Sequence, residues 1–369
     1  MHASIGRQAG AGLKDELPRI LFFNINGSGL GHLSRCLAYA RRIEGRAKPY
    51  FLSLASAIEI IHEMGFEADY FVSTFWSRSH INAWNRELAI RVGLMLEEVR
   101  PAAVVFDGTW PFHGFMDACD AYGVPLKIWS NRGLHKEDAE PVPVKESAFD
   151  LVIQPGEIGT VFTVERAEQP GRKVTTPPVT LLRDEELLDR EKAREALGLD
   201  RKGRYALFSL GPGNLKDVSE IARGLLEEMR GCGFTVVWAR APISVRDVSL
   251  PNDVMPVSLF PLVRYMRAFD MFAGAAGYNT CCEVIQSGVP SLLIPNMQVI
   301  DDQARRAAMT SRHARVVVSP CETPEQRSEA VSQLLDTDLG SAQRPAIELN
   351  GSERAAGEIM ALVERKIAA

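Results

Sequence analysis

The chain has no long hydrophobic run. Nothing in its 369 residues approaches the roughly 20 consecutive apolar positions needed to cross a bilayer, and the first twenty residues lack the apolar core of a secretory signal. A cytoplasmic protein is expected. No basic amphipathic helix announces a membrane surface, although a small apolar loop patch would suffice for peripheral contact at the inner face of a membrane. Cysteine is sparse: Cys36, Cys119, Cys232, Cys281, Cys282 and Cys321 show no C-x-x-C spacing, which argues against a structural zinc site and against a disulfide framework. Positive charge is not in excess either. A formal net charge of -5 has the wrong sign for a nucleic-acid-binding face, so no nucleic-acid partner is expected. The only D-x-D, Asp336 and Asp338, follows a C-terminal helical pattern rather than a strand, so no metal is expected.

What the chain does have is a globular composition, 46% hydrophobic and 24% charged, which leaves no reason to expect disorder or a fibrous repeat. Its length exceeds one ordinary core and points to two domains. Residues 1–17 mix glycine, alanine and charge without a period and read as a loose leader. Short β-branched or aromatic runs then alternate with helical stretches: RILFFNI, PYFLSL, ADYFVS, AAVVFD, PLKIWS and DLVIQ in the first half, and YALFSL, FTVVWA, DVMPVSL, DMFAGAA, PSLLIP and ARVVVS in the second. Such alternation predicts an α/β fold with doubly wound parallel sheets, here two Rossmann-like units. The seam at about residues 172–200 carries Pro177, Pro178 and a charged helical segment. The units are therefore placed at 18–175 and 201–345, with a linker at 176–200 and a last helix at 346–369 packing across the domains.

The stretch ILFFNINGSGLGHLSRCLAYARRI, residues 20–43, runs from a buried strand through Gly27, Gly29 and Gly31 into a helix beginning at His32. Bare backbone and a helix N-terminus favour an anion there. It is not a standard dinucleotide fingerprint, because His32 stands where the third glycine of G-x-G-x-x-G belongs, and the next strand ends without an acid for a ribose hydroxyl. His32 either caps and packs the helix or does chemistry. Asp107, at the carboxyl end of the strand AAVVFD, lies on the edge where open α/β sheets build their sites. Asp107 either caps the turn before Gly108 or orients His32, leaving its second ring nitrogen as a base.

In the second half, DMFAGAAGYNTCCEVIQSGVPSLLIPNMQVIDDQ, residues 270–303, takes a strand through Gly274, Ala275, Ala276 and Gly277 into a helix near Asn279 and Thr280. Small residues there let backbone amides reach a diphosphate. Glu283, one turn in, either grips paired ribose hydroxyls or complements the helix dipole. Asp302 and Gln303 offer acceptor and donor groups suited to sugar hydroxyls.

At these residues the chain resembles the nucleotide-sugar glycosyltransferases of the GT-B fold, in particular the UDP-glycosyltransferases and the peptidoglycan N-acetylglucosaminyltransferase. Gly277, Asn279, Thr280, Glu283, SGVPSLLIP and DDQ are similar to their donor-site signature. GSGLGHLSRCLAYA is similar to their N-terminal glycine loop with its Gly-His pair, and VVFDGTW to the strand carrying the partner aspartate. The resemblance spans about residues 19–320 in the same order. It implies an acceptor-side first domain and a nucleotide-sugar-binding second domain, with His32 as general base and Asp107 as its orienting carboxylate. It further implies Gly29, Gly31 and Ala276 to Thr280, Tyr278 included, as the diphosphate loops and Glu283 as the ribose ligand. Asp302 and Gln303 would hold the donor sugar. LFSLGPGNL adds Gly211, Gly213 and Asn214 near the phosphates, and SLFPLVRYM adds Phe260 and Leu262 near the base. Ala275 stands where many UDP-glycosyltransferases carry a histidine.

The resemblance implies metal-independent, inverting transfer from a nucleotide-diphosphate sugar, UDP-sugar foremost, to an acceptor hydroxyl on a lipid, glycan or natural product. The sugar nucleotide is a co-substrate, and no cofactor is expected. GLGHLSRCLAYA also resembles the helix start of the nucleotide-sugar hydrolase of pseudaminic acid synthesis, in which water would replace the acceptor and Arg35 would touch phosphate or sugar. A catalytically silent sugar-nucleotide binder is the third reading. Trp76, Trp84, Trp110 and Trp129 fall in the first half near strand ends; Trp76 and Trp110, with His113, Arg132 and His135, are candidate acceptor contacts, while core packing is expected for at least two of the four tryptophans.

Overall fold

The structure is a computed structural model that describes residues 16–26, 29–131, 146–165, 171–211, 219–240, 243, 251–296, 301–336 and 346–369. Gly27, Arg132, His135, Gly213, Asn214 and Asp338 lie outside the described residues.

The first unit is an eight-stranded sheet. Its strands are β1 (Arg19–Asn24), β2 (Lys48–Ser53), β3 (Glu67–Tyr70), β4 (Ala103–Asp107), β5 (Lys127–Ser130), β6 (Leu151–Pro155), β7 (Thr163–Glu165) and β8 (Arg172–Thr176). They lie in the order β3-β2-β1-β4-β5-β6-β8-β7, all parallel except β7 against β8. The second unit comprises β9 (Tyr205–Ser209), β10 (Thr235–Ala239), β11 (Met255–Val257), β12 (Met271–Ala275), β13 (Ser291–Ile294) and β14 (Val316–Val318), in the order β11-β10-β9-β12-β13-β14. Both sheets reverse direction of growth beside their first strand, between β1 and β4 and between β9 and β12, and such switch points are where open α/β sheets form crevices.

The hydrophobic runs are continuous because both sheet faces are covered. Along β1, Ile20 and Phe22 enter the core beneath helix α1 (Gly31–Ile43) with Cys36 and Leu37. Leu21 and Phe23 enter the opposite layer with Trp84, Leu88 and Phe115. A period of two thus sends one strand into two layers.

All twelve runs read from the sequence are strands. The hairpin β7–β8 is the addition: residues 172–176, read as the start of the seam, form the parallel neighbour of β6. RKVTT has a single apolar side chain, Val174, and the strand is held by its ladder rather than by a pattern that a sequence displays. Beyond it the chain is pinned. Val179 pairs with Asn350, the Gly351 amide donates to Pro178 O at 3.1 Å, and Ser352 Oγ donates to Thr180 O at 2.9 Å.

Three further helices bear on the site: α2 (Tyr278–Ser287), α3 (Gln303–Thr310) and the last helix, α4 (Gly351–Ala368). The last one returns from the second unit to the first. It lies against α1 and β8, buries Ala355, Ile359, Met360 and Val363, and ties on through Arg42–Glu353 at 2.7 Å and Arg172–Glu358 at 2.8 Å. Among the described residues no helix is long and apolar enough to cross a membrane.

Candidate active site

The site is built at the two switch points. β1 and β4 pair in register, Asn24 opposite Asp107, and Ser130 at the end of β5 stands opposite Asp107 on the other side. Three adjacent strand ends therefore present polar groups to one edge. Glycine follows Asp107 for a steric reason: a Cβ at Gly108 would lie 2.6 Å from the Phe106 ring and 2.7 Å from Ile25. The Trp129 indole donates to Gly108 O at 2.9 Å and fixes that turn.

α1 begins at Gly31, one residue before His32, with Leu30 as an N-cap that offers no side-chain oxygen and no acid in the first turn. His32 projects back to the strand edge, where its Nδ1 lies 2.7 Å from Asp107 Oδ1. Asp107 is wholly buried. Its oxygens also accept from Arg35 Nε at 2.9 Å and Nη2 at 2.6 Å, and from Ser130 Oγ at 2.7 Å. Burial alone would push this carboxyl up, but Arg35 and His32 beside it hold it at about 2. Ionised Asp107 must receive a hydrogen across the 2.7 Å contact, so Nδ1 carries the proton and Nε2 carries the lone pair. That is the tautomer a general base requires.

Across the interface, Gly277 is the N-cap of α2, again without a capping side chain or a first-turn acid. Neither helix start has a side-chain cap, and the positive end of each helix dipole is the electrostatic setting for an anion. The starts border one crevice. Its walls include Ser34 and Arg35 from α1, Thr180 and Leu181 from the connecting segment, Phe260 and Val263, and Asn279, Glu283 and Gln286 from α2. Glu283 is half-buried and burial pushes its carboxyl up to about 7; among the described residues it makes no hydrogen bond or ion pair. An uncompensated acid beside a crevice marks a functional site better than a surface acid does.

The other sequence candidates are distributed as follows. Gly29 precedes α1 and Gly31 opens it, and Gly211, with φ of +87°, lies two residues past β9 near Ala275. Ala276 is buried and its carbonyl accepts from Arg306 Nη1 at 3.2 Å. Tyr278 is turned away from the loop: its hydroxyl donates to Gly156 O and accepts from the Val179 amide, both at 2.9 Å, so it joins the two units. Phe260 lines the crevice, whereas Leu262 is not among its walls and Val263 is. Asp302 caps α3, accepting from the Arg305 amide at 3.0 Å, and Gln303 Oε1 accepts from the Asn296 amide at 2.9 Å. Trp76 and Trp110 are 44% and 47% exposed, while Trp84 and Trp129 are core residues. His113 opens the helix His113–Tyr122. Asp336 ends the helix Pro324–Leu335 as its C-cap.

Sequence reading missed Ser130, although the rule that found Asp107, a polar residue at a strand's carboxyl end, applies to it equally. It also missed the ion cluster behind α2. Arg306, fully buried, pairs with Glu157 of the first unit through Nε and Nη2 at 2.7 and 3.0 Å and with Asp301 at 2.5 Å. The hydrolase-type reading placed Arg35 on phosphate or sugar; in the structure its Nε and Nη2 are bonded to Asp107, its side chain is 3% exposed, and it lines the crevice.

No family model matches the chain. It is 21% identical over 254 residues to the UDP-N-acetylglucosamine–N-acetylmuramyl-(pentapeptide) pyrophosphoryl-undecaprenol N-acetylglucosamine transferase of Bacillus licheniformis, covering 66% of this chain and 67% of that one. It is 25% identical over 188 residues to the NDP-glycosyltransferase YjiC of Bacillus subtilis, covering 48% and 47%. Among solved structures, MurG of Acinetobacter baumannii superposes with a TM-score of 0.54 at 13% identity, over 94% of this chain and 100% of that one. MnaA of S. aureus, solved with UDP, gives 0.64 at 11%, over 94% and 97%. The two parallel-sheet units are the GT-B fold, and the named relatives and structural neighbours are glycosyltransferases of that fold. Within that class the chain resembles the MurG-type N-acetylglucosaminyltransferases and the UDP-glycosyltransferases.

Proposed function

We propose that the protein transfers a sugar from a nucleotide-diphosphate sugar, UDP-sugar foremost, to an acceptor hydroxyl, with inversion and without metal. The observation that carries this reading is the His32–Asp107 pair at 2.7 Å, gripped by Arg35, which lines one crevice together with Glu283. Nucleotide ribose hydroxyls donate to Glu283, and the amides of Gly277 to Thr280 face the diphosphate, where the α2 dipole offsets its charge. His32 Nε2 takes the acceptor hydroxyl proton as that oxygen bonds to the anomeric carbon and the bond to the diphosphate oxygen breaks. The electrons leave with the nucleoside diphosphate. Attack from the first unit on a sugar held by the second inverts the anomeric centre.

The acceptor side is apolar at its rim. Phe75 and Trp76 meet edge to face and are 71% and 44% exposed, and Trp110 stands after β4. Those surfaces suit an acceptor with a lipid or aromatic portion, in keeping with the undecaprenol-linked acceptor named for the Bacillus licheniformis relative. Peripheral contact with a membrane belongs to the same reading, as does a cytoplasmic location.

Calorimetry and thermal shift with UDP, TDP, GDP and CDP, with NAD as control, test the donor half. One diphosphate should bind, and its binding should weaken in Glu283→Ala; binding of none, or of NAD alone, refutes the reading. Incubating the matching nucleotide sugar with and without hydroxyl acceptors then separates transfer from hydrolysis.

A further inference from the structure

We propose that Arg35 is a positioning residue for the base: it fixes the Asp107 carboxylate against His32 and opposes the charge that His32 acquires, so that the imidazole releases the proton it takes. This rests on the reading of His32 as the base, and it concerns an arginine to which the proposed transfer gives no role.

Arg35 lies one turn after His32 on α1, so both side chains descend on the same strand edge. Its guanidinium grips Asp107 with two nitrogens, and Nη2 and His32 Nδ1 share a single oxygen, Oδ1, at 2.6 and 2.7 Å. Nη2 and Nδ1 are 3.0 Å apart. Both carry hydrogens in the tautomer derived above, so this third contact is no hydrogen bond. It is a guanidinium packed beside an imidazole, both pointing at one acceptor.

The consequence appears on protonation. A histidine with a buried aspartate to itself gains strongly from becoming imidazolium, because the pair is then a compact ion pair. Here one carboxylate serves two cations, and the second sits 3.0 Å from the ring. Arg35 therefore cancels part of the stabilisation that Asp107 provides, while holding Asp107 in place and ionised. A base works best when its proton affinity matches the operating pH rather than exceeding it. Among the described residues, the charged and titratable groups packed about the cluster include Asp107 from β4, Arg35, Cys36 and Tyr39 from α1, and Tyr278 from the second unit. Burial pushes the Cys36 thiol and the Tyr39 and Tyr278 hydroxyls well above their ordinary values. Those three stay neutral near pH 7, and among the described residues Arg35 is the cation packed against His32. Tyr39 bears on the site through Ser130, its hydroxyl lying 3.2 Å from Ser130 Oγ.

The test uses ¹⁵N histidine spectra of the full chain, titrated in the wild type, Arg35→Lys and Arg35→Gln. The wild type should show His32 protonated at Nδ1 on the basic side of its titration. Arg35→Gln should raise the His32 midpoint by about one pH unit, as expected when a neighbouring like charge is removed, and Arg35→Lys should restore most of the difference. The acid limb of kcat should move with the midpoint. A structural role alone lowers turnover equally at every pH. An unmoved midpoint in Arg35→Gln overturns the proposal, as does a wild-type ring protonated at Nε2 in the neutral form. Should Arg35→Gln not fold, the wild-type tautomer still decides. The spectra need no substrate, so they stand apart from the activity loss in His32→Ala that tests the base itself.

Discussion

At the residue scale the site joins two carboxylates of opposite character. Asp107 is held at about 2 by Arg35 and His32, and Glu283 is pushed up to about 7 by burial without a partner. In the proposed function Asp107 stays ionised and orients His32, while Glu283 changes charge on ligand binding. His32→Ala should lower turnover by about two to four orders of magnitude while leaving nucleotide affinity intact in calorimetry; full activity in that variant removes His32 from the mechanism. For Glu283 the sign follows from linkage. A folded-state carboxyl raised from 4.5 to about 7 loses stability as pH climbs through that interval. A ribose diol that donates to the carboxylate draws the value down again, so nucleotide binding near pH 7 should release a proton, read as a binding enthalpy that varies with the buffer's ionisation enthalpy. Glu283→Ala should abolish the release and weaken binding by about 1 to 3 kcal/mol; buffer-independent enthalpy in the wild type argues for Glu283 as a dipole partner only. His32, Asp107 and Glu283 were legible because each stands at a strand end or helix start, positions that sequence periodicity reveals. Arg35 was legible as a residue and not as a role: its partner is 72 positions away, and nothing local distinguishes an arginine aimed at a phosphate from one buried on an aspartate.

At the element scale, alternating strands and helices made the sheets legible, while β7–β8 escaped because two short polar strands carry no hydrophobic period. The loops after β3 and β4 illustrate a second limit. Trp84 is buried between Phe71 and Phe112, at 5.6 and 4.7 Å, and so ties both loops to the helix Ile81–Val99. Composition cannot say which tryptophans are pillars and which face solvent. That helix and His113–Tyr122 approach tightly at Gly114, where the amide donates to Asn85 Oδ1 at 2.9 Å and a Cβ would fall 2.0 Å from Asn85 O. Gly114→Val should therefore force the helices apart, costing about 1 to 3 kcal/mol in chemical denaturation. An unchanged midpoint would mean that the crossing adjusts freely and that its geometry does not hold His113 and Trp110.

For the whole molecule, what matters is that the two units are not independent. One hydrophobic cluster runs from Phe22 and Leu37 through Val179, Leu181 and Leu182 to Met266 and Phe269, with Ile359 and Val363 of α4 closing it. The chain crosses the interface twice, once through residues 177–189 and once on its return into α4. Behind α2 the crossing is electrostatic: buried Arg306 answers Glu157 of the first unit and Asp301 of the second, and braces Ala276 just before Gly277. Removing the cation leaves two carboxylates in a site made for three charges. Arg306→Met should cost about 3 to 5 kcal/mol of unfolding free energy, the usual consequence of breaking a buried pair from one side. Adding Glu157→Gln and Asp301→Asn should recover much of it, since a neutral cluster has no charge to desolvate. The same single variant frees the Ala276 carbonyl, beside the loop that faces the diphosphate in the proposed function, so its nucleotide affinity should fall, and the triple variant, still lacking Arg306, should regain stability without regaining affinity. Recovery of both together would place the loop's geometry under the control of domain docking, and recovery of neither would deny the cluster its part in joining the units.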